Sequence, residues 1–234
     1  MKTVLVTGGS IGIGLALVKA YLKEGFKVIN MAPFTPKENI TGDYHYVHAD
    51  LRKVHQLKDF FDQAYAHAKQ IDILIHNAAA YGDSTFLDLT QDALDDVLAV
   101  NLKAPIFLSQ YFTKQYYGQT GRIIIISSTR AMMSEKDTIP YTVTKGALNA
   151  LTHSLAITLQ AHYITVNAIA PGWINSKDEP IKDHDHFFHP SNRVGTTSDI
   201  VKACMYLSDP ENSFINGEVI TIDGGVSKKM IYPD

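Results

Sequence analysis

Short apolar runs of strand length alternate along the chain with stretches of helical period. TVLV (3–6) is followed by an amphipathic stretch from about Ile13 to Lys23, and then by KVINM (27–31). HYVHA (45–49) precedes a helical stretch near 53–68, and IDILIH (71–76) precedes a long one near 90–116. RIIIIS (122–127) leads to a helix near 141–160, ITVNAIA (164–170) to one near 198–207, and EVITI (218–222) closes the series. Strands apolar along their whole length and separated by helices predict a parallel sheet buried on both faces. Right-handed crossovers then give a single α/β domain over residues 1–234. It is a doubly wound, mostly parallel, Rossmann-type sheet of about seven strands with helices on both faces. Ligands of such sheets bind beyond the carboxyl ends of the strands, so the residues just after each strand are the candidates for chemistry.

Two segments break the alternation. The thirteen residues between KVINM and HYVHA hold two prolines and a glycine, which predicts no crossover helix there. Residues 175–197 are polar, rich in histidine and without clear period. A loop that long inside a compact domain predicts a mobile substrate lid.

Composition narrows the classes. The 234 residues are 45% hydrophobic and 19% charged, as in an ordinary globular domain. A net charge of −3 supplies neither a basic face for nucleic acid nor a polybasic membrane patch. No apolar stretch is long enough to span a bilayer, and MKTVLVTGG lacks the apolar core of a signal peptide, so a cytoplasmic protein is expected. The single cysteine, Cys204, excludes an intramolecular disulfide and a cysteine-based metal cluster. In the helical stretch DIVKACMYL it reads as a buried small hydrophobe.

After the first strand comes TGGSIGIG (7–14). Gly8, Gly12 and Gly14 suit a tight turn, a close approach to a diphosphate and packing of helix on strand. The same letters contain Gly8-Gly9-Ser10-Ile11-Gly12, a G-x-S-x-G that would make Ser10 a hydrolase nucleophile. Only six residues precede TGGSIGIG, too few for the earlier strands and oxyanion loop which that chemistry needs, so the phosphate cradle is the preferred reading. Downstream, Tyr141 and Lys145 stand at i and i+4 on one helical face, with side-chain bases about 5–6 Å apart. An ammonium so placed favours the phenolate. Ser128 follows the RIIIIS strand, and Asn101 puts an amide into an otherwise apolar helical stretch.

In that order these motifs resemble the short-chain dehydrogenase/reductase family, the Tyr-dependent oxidoreductases with an extended Rossmann fold, along essentially the whole chain. TGGSIGIG is similar to the family's T-G-x-x-x-G-x-G, and HNAAA (76–80) to N-N-A-G, with Ala79 where glycine is usual. Asn101, Ser128, Tyr141 and Lys145 match the catalytic tetrad, and FINGEVITIDGG (214–225) resembles the closing strand. The resemblance implies hydride transfer between NAD(P)(H) and a carbonyl or secondary alcohol. Tyr141 would be the acid–base group, Lys145 would lower its pKa and hold the nicotinamide ribose, Ser128 would bind the substrate oxygen, and Asn101 would place a relaying water. It implies a cofactor site of Gly8, Ser10, Ile11, Gly12, Ile13, Gly14, Ala32, Asp50, Leu51, Asn77, Ala78, Ala79, Tyr141, Lys145, Pro171, Gly172, Ile174 and Ser176.

The stretch VINMAPFTP (28–36) leaves the choice of cofactor open. Ala32 stands where an acid selects NAD, and neither Pro33 nor Ile11 supplies the cation that NADP enzymes carry. Only Thr35 and Lys37 are near in sequence to a 2′-phosphate. The short β2–β3 connection resembles members acting on sugars, polyols or cyclic diols. A 3-oxoacyl-thioester reductase is the alternative within the family, and a catalytically silent nucleotide sensor or scaffold the alternative outside enzymology. Arg130 could pair with a substrate carboxylate or phosphate, although a solvated loop arginine is the commoner case. Trp173, Phe187 and Phe188 are candidates for an apolar wall. His184, His186 and His189 with Asp183 and Asp185 suggest a metal site only weakly, and no metal is expected. The resemblance also implies a homodimer or homotetramer acting on a small molecule, with no nucleic-acid or membrane partner.

Overall fold

The computed structural model describes residues 1–230 except Asp83, Gln119 and Asp178. Its strands β1 (Thr3–Thr7), β2 (Lys27–Ala32), β3 (Tyr44–His48), β4 (Ile73–His76), β5 (Gly121–Ile126) and β6 (Ile164–Pro171) join a last strand, Val219–Ile222, in one parallel sheet. Two-residue strands β7 (Ile174–Asn175) and β8 (Gly195–Thr196) pair separately, so the last strand is β9. The order β3-β2-β1-β4-β5-β6-β9 reverses direction between β1 and β4, which opens a crevice at their carboxyl ends.

The buried strands explain their own composition. Parallel register sets Leu5 beside Ile29 and Leu74, and these pack under Phe61, Phe112 and Leu148 of the helices on one face. The alternate residues Val4, Val28 and Ile73 point to the other face, against Leu17, Val18, Ile200 and Cys204. Both faces being covered, no position along β1 is free to be polar except at its ends. Cys204 is fully buried there, as expected.

The helices are α1 (Gly12–Lys23), α2 (Leu57–Ala66), α3 (Gln91–Leu98), α4 (Ala104–Gln115), α5 (Ile139–Thr158), α6 (Asp183–Phe188) and α7 (Thr197–Ser208). No helix crosses from β2 to β3, as the prolines predict. Three expectations change. The stretch near 53–68 begins as a 3-10 turn, Val54–Gln56, before α2. The long helix near 90–116 divides at a π turn, Ala99–Lys103, between α3 and α4. Pro105 has no N–H to return to the Asn101 carbonyl and its ring crowds that group, so the ladder widens at this point. The segment 175–197 is not a plain loop: it contains α6, and the β7–β8 pairing ties its two ends together. Arg193 and a capping box of Thr196 with Asp199 fix its exit into α7.

Candidate active site

A cleft of about 1160 Å³ lies beyond the carboxyl ends of β1, β2, β4, β5 and β6. Every residue that the sequence assigns to the cofactor lines it, from Gly8 and Ser10 to Ile174 and Ser176. The floor is the 7–14 loop. Gly8 has φ +68°, a left-handed conformation that favours glycine. A Cβ on Gly14 would fall 2.1 Å from the Gly8 carbonyl oxygen, so the loop closes on itself only without a side chain there. α1 starts from this loop with no side-chain cap and no acid in its first turn, leaving its N–H groups and positive end for an anion.

Neighbouring strands hold the loop in place. Asn77 Nδ2 donates to the carbonyls of Thr7 (3.1 Å) and Gly8 (3.0 Å), and the Thr7 hydroxyl accepts from the Asn77 and Ala78 amides. From β2, Asn30 accepts from the Gly9 amide at 2.8 Å and donates to Ser10 Oγ and Tyr44 Oη, both at 3.0 Å. Ser10 Oγ in turn donates to the Phe34 carbonyl. Its hydroxyl is thus engaged in tying the loop to the end of β2, its partners among the described residues being Phe34 and Asn30 rather than a histidine that could activate a nucleophile. Asn30 is a loop-holding residue the sequence reading passed over, and one signal was there: a single amide within the apolar run VINMA, which the structure buries fully.

At the end of β2, Ala32 is buried and its side chain offers no polar group. Thr35 and Lys37 are absent from the cleft lining, whereas Arg52 belongs to it. Arg52 grips Asp50 through Nε and Nη2 at 2.9 and 2.8 Å, which holds the Asp50 carboxyl below its usual range.

Ser128, Tyr141 and Lys145 come together on one wall. α5 carries Tyr141 and Lys145 one turn apart, with Lys145 Nζ 5.2 Å from the Tyr141 ring centre and donating to the Ile126 carbonyl at 2.7 Å. Burial lowers the Lys145 pKa to about 7. Burial, and next the neighbouring Tyr81, push Tyr141 up to about 12, while the Ser128 hydroxyl and the Arg130 charge act in the opposite sense. The lowering expected from the lysine is therefore not found: burial raises the phenol, and the buried Lys145 is itself uncharged in the range where the phenol titrates. Tyr81 stacks on Tyr141 with ring centres 4.2 Å apart. Nothing in the sequence marked it, since the pairing joins the loop after β4 to α5.

Asn101 stands behind the wall rather than in it. Its Oδ1 accepts from the Ala80 amide at 2.7 Å, and its two amide hydrogens go to the Ala80 carbonyl (2.8 Å) and Thr144 Oγ1 (3.1 Å). The widened turn aims this amide so that it fastens the HNAAA loop to α5.

Over the cleft, Trp173, Phe188 and His189 line the roof, joined from the C-terminal end by Asp223 and Val226. Phe187 is absent from the lining and largely exposed. The histidines of this segment do not converge: His189 Nδ1 and the Asp185 carbonyl are 2.8 Å apart, and His186 Nδ1 accepts from the Val194 amide. Among the described residues no three His, Cys, Asp or Glu side chains form a metal-binding group. Arg130 is not a solvated loop arginine: it lines the cleft, and its side chain is only 17% exposed.

A family described as enoyl-(acyl carrier protein) reductase matches residues 8–227. An uncharacterized oxidoreductase of Thermotoga maritima is 34% identical, the match covering all of this chain and 98% of that protein. The 2-dehydro-3-deoxy-D-gluconate 5-dehydrogenase of Escherichia coli is 28% identical, with 96% of this chain and 94% of that one covered. A solved structure described as an apo SCOR enzyme from Clostridium thermocellum superposes with a TM-score of 0.88 at 38% identity, covering 99% of this chain and 95% of that one.

Proposed function

The chain belongs to the short-chain dehydrogenase/reductase family, and from that premise we propose that it transfers hydride between NAD(P)(H) and the carbonyl or secondary alcohol of a small sugar- or polyol-like substrate. The observation that carries this is the convergence of Tyr141, Lys145 and Ser128 on a cleft floored by an uncapped glycine-loop helix start. The residues fit a dinucleotide: the close Gly8–Gly14 approach and the free N–H groups of α1 suit a diphosphate, and Asp50, Leu51 and Asn77 suit the adenosine side. When bound, the cofactor supplies or accepts the hydride.

The chain's own groups would manage the proton and the orientation. Tyr141 Oη would give its proton to the substrate oxygen during reduction and take it back during oxidation. Ser128 Oγ, whose lone pair already accepts from the Arg130 amide at 3.1 Å, still has its O–H to donate to that oxygen. Lys145 would turn its ammonium towards the ribose hydroxyls and restore the phenol's proton. Asn101 keeps the wall in register by holding Ala80 to Thr144.

Replacing Tyr141 by Phe tests this. Turnover of secondary alcohols should fall by about 10²- to 10⁴-fold, the usual contribution of a positioned acid–base group, with cofactor binding retained. A wild type that turns over nothing across sugars, polyols, secondary alcohols and carbonyls would favour the silent sensor. A relative 29% identical over 96% of this chain, the 3-oxoacyl-[acyl-carrier-protein] reductase of Staphylococcus epidermidis, keeps a 3-oxoacyl-thioester reductase as the second reading. Faster reduction of acetoacetyl thioesters than of any sugar would establish it.

NAD and NADP are both compatible with the proposal, Ala32 offering no charge and the Asp50–Arg52 pair lining the same cleft. A homo-oligomer, dimer or tetramer, fits the exposed Tyr206 on α7, Phe214 ahead of β9, and Ile106, Phe107 and Val143 on α4 and α5. No described helix is long and apolar enough to cross a membrane, in keeping with a cytoplasmic enzyme.

A further inference from the structure

Arg130 has more charge available than its surroundings use. It sits on the turn immediately after Ser128, its amide donates to Ser128 Oγ, and its guanidinium is near enough for its charge to act on Tyr141. It lies beside the reacting atoms, not at the adenosine end. Of its two terminal nitrogens, Nη2 pairs with Glu135 at 2.5 Å. Nη1 is buried and has no hydrogen-bond partner among the described residues. A guanidinium offers two parallel N–H donors in a fixed fork, and a carboxylate satisfies both at once. The carboxylate now on it belongs to a side chain that is 72% exposed, on the same loop and also on the cleft. An ion pair with so exposed a partner is weak, so the partner is easily exchanged.

We propose that Arg130 is the specificity residue for a carboxylate on the substrate, and that Glu135 is a built-in competitor which the substrate's own carboxylate displaces. The substrate class is then a hydroxy or keto acid, its carboxylate on the Arg130 fork and its reacting carbon in reach of Tyr141 and Ser128. A carboxylate is favoured over a phosphate because the group now held there is itself a carboxylate. Displacement of Glu135 frees Nη2, and a small rotation of the fork brings Nη1 to the second oxygen. The inference rests on the oxidoreductase reading for the site, but acid recognition can be measured without turnover.

Trp173, the one tryptophan of the chain, lines the same cleft and reports binding. The probes are hydroxy acids of three to six carbons, D-gluconate among them, each paired with its neutral alcohol or amide and with the corresponding phosphate ester. They are titrated against Trp173 fluorescence in the presence of saturating NADH or NADPH. The wild type should bind at least one acid about 10- to 100-fold more tightly than its neutral partner, as a charged hydrogen-bonded pair requires. Arg130→Met should bring that ratio close to one. Glu135→Gln, a change at an exposed site that leaves folding intact, should tighten acid binding by roughly two- to fivefold, the size of a weak ion pair removed. The proposal is overturned if no acid is preferred, if the preference survives Arg130→Met, or if Glu135→Gln weakens acid binding. A phosphate ester preferred over every acid would also overturn it. Loss of turnover in Tyr141→Phe with no acid preference would sink this inference and leave the oxidoreductase reading standing. Acid preference without turnover by any enzyme form would do the reverse.

Discussion

Replacing Asn30 by Ala tests how the cofactor loop is held. Asn30 is fully buried and makes three hydrogen bonds, to the Gly9 amide, Ser10 Oγ and Tyr44 Oη. Alanine leaves the Gly9 N–H without its acceptor, at a cost of about 1–3 kcal/mol, and the two lost hydroxyl contacts bring the total to roughly 2–4 kcal/mol. For a chain of this size that lowers Tm by roughly 5–15 °C. The stranded amide belongs to the loop proposed to hold the cofactor, so affinity should fall by about tenfold or more as the loop loses its fixed geometry. Asn30→Asp is the control that separates the two roles. It keeps an acceptor for Gly9 but loses both amide donors, so it should bind cofactor more tightly than Asn30→Ala. Thermal melts and titration of NADH and NADPH fluorescence read both quantities. If Asn30→Ala melts lower yet binds both cofactors within twofold of the wild type, the loop does not depend on Asn30 and the reasoning fails.

Three further outcomes follow from the same geometry. Gly14→Ala would force a Cβ to within 2.1 Å of a backbone oxygen, so it should reduce cofactor affinity at least tenfold, as measured by the same titration. Tyr81→Leu removes the ring stacked 4.2 Å from Tyr141 and one cause of its raised pKa. The component of the ultraviolet titration that Tyr141→Phe removes should then come at lower pH in Tyr81→Leu than in the wild type, and an unchanged or higher position contradicts it. Lys145 has a folded-state pKa of about 7 against 10.5 when unburied. Between these values the unfolded chain binds the extra proton, so this residue makes stability rise with pH across that window and contributes no slope below or above it. Urea unfolding of Lys145→Met from pH 7 to 10 should show a shallower rise than the wild type, and parallel curves would refute the burial effect.

Much of this molecule can be read from the chain alone because its determinants are local. Strand-length runs such as TVLV and RIIIIS, apolar at every position, require cover on both faces and so fix a parallel sheet with its helices. TGGSIGIG specifies a turn that only glycine allows, and the Tyr141–Lys145 spacing puts both side chains on one helical face wherever that helix lies. Other features exist only once distant segments meet. Asn30 reaches Gly9 because β2 lies beside β1 in a parallel register that sets Val6 against Asn30. Tyr81 covers Tyr141, and Asn101 reaches Thr144, only because the loop after β4 and the widened turn both abut α5. The pKa order of Tyr141 and Lys145 follows from desolvation, a property of the packed wall that no spacing encodes. The sequence by itself determined the sheet, the glycine turn after β1 and the placing of Tyr141 and Lys145 on one helical face. Only the tertiary structure decided how tightly that turn is held, how far those two side chains are buried and which charge, that of Arg130, stands beside them.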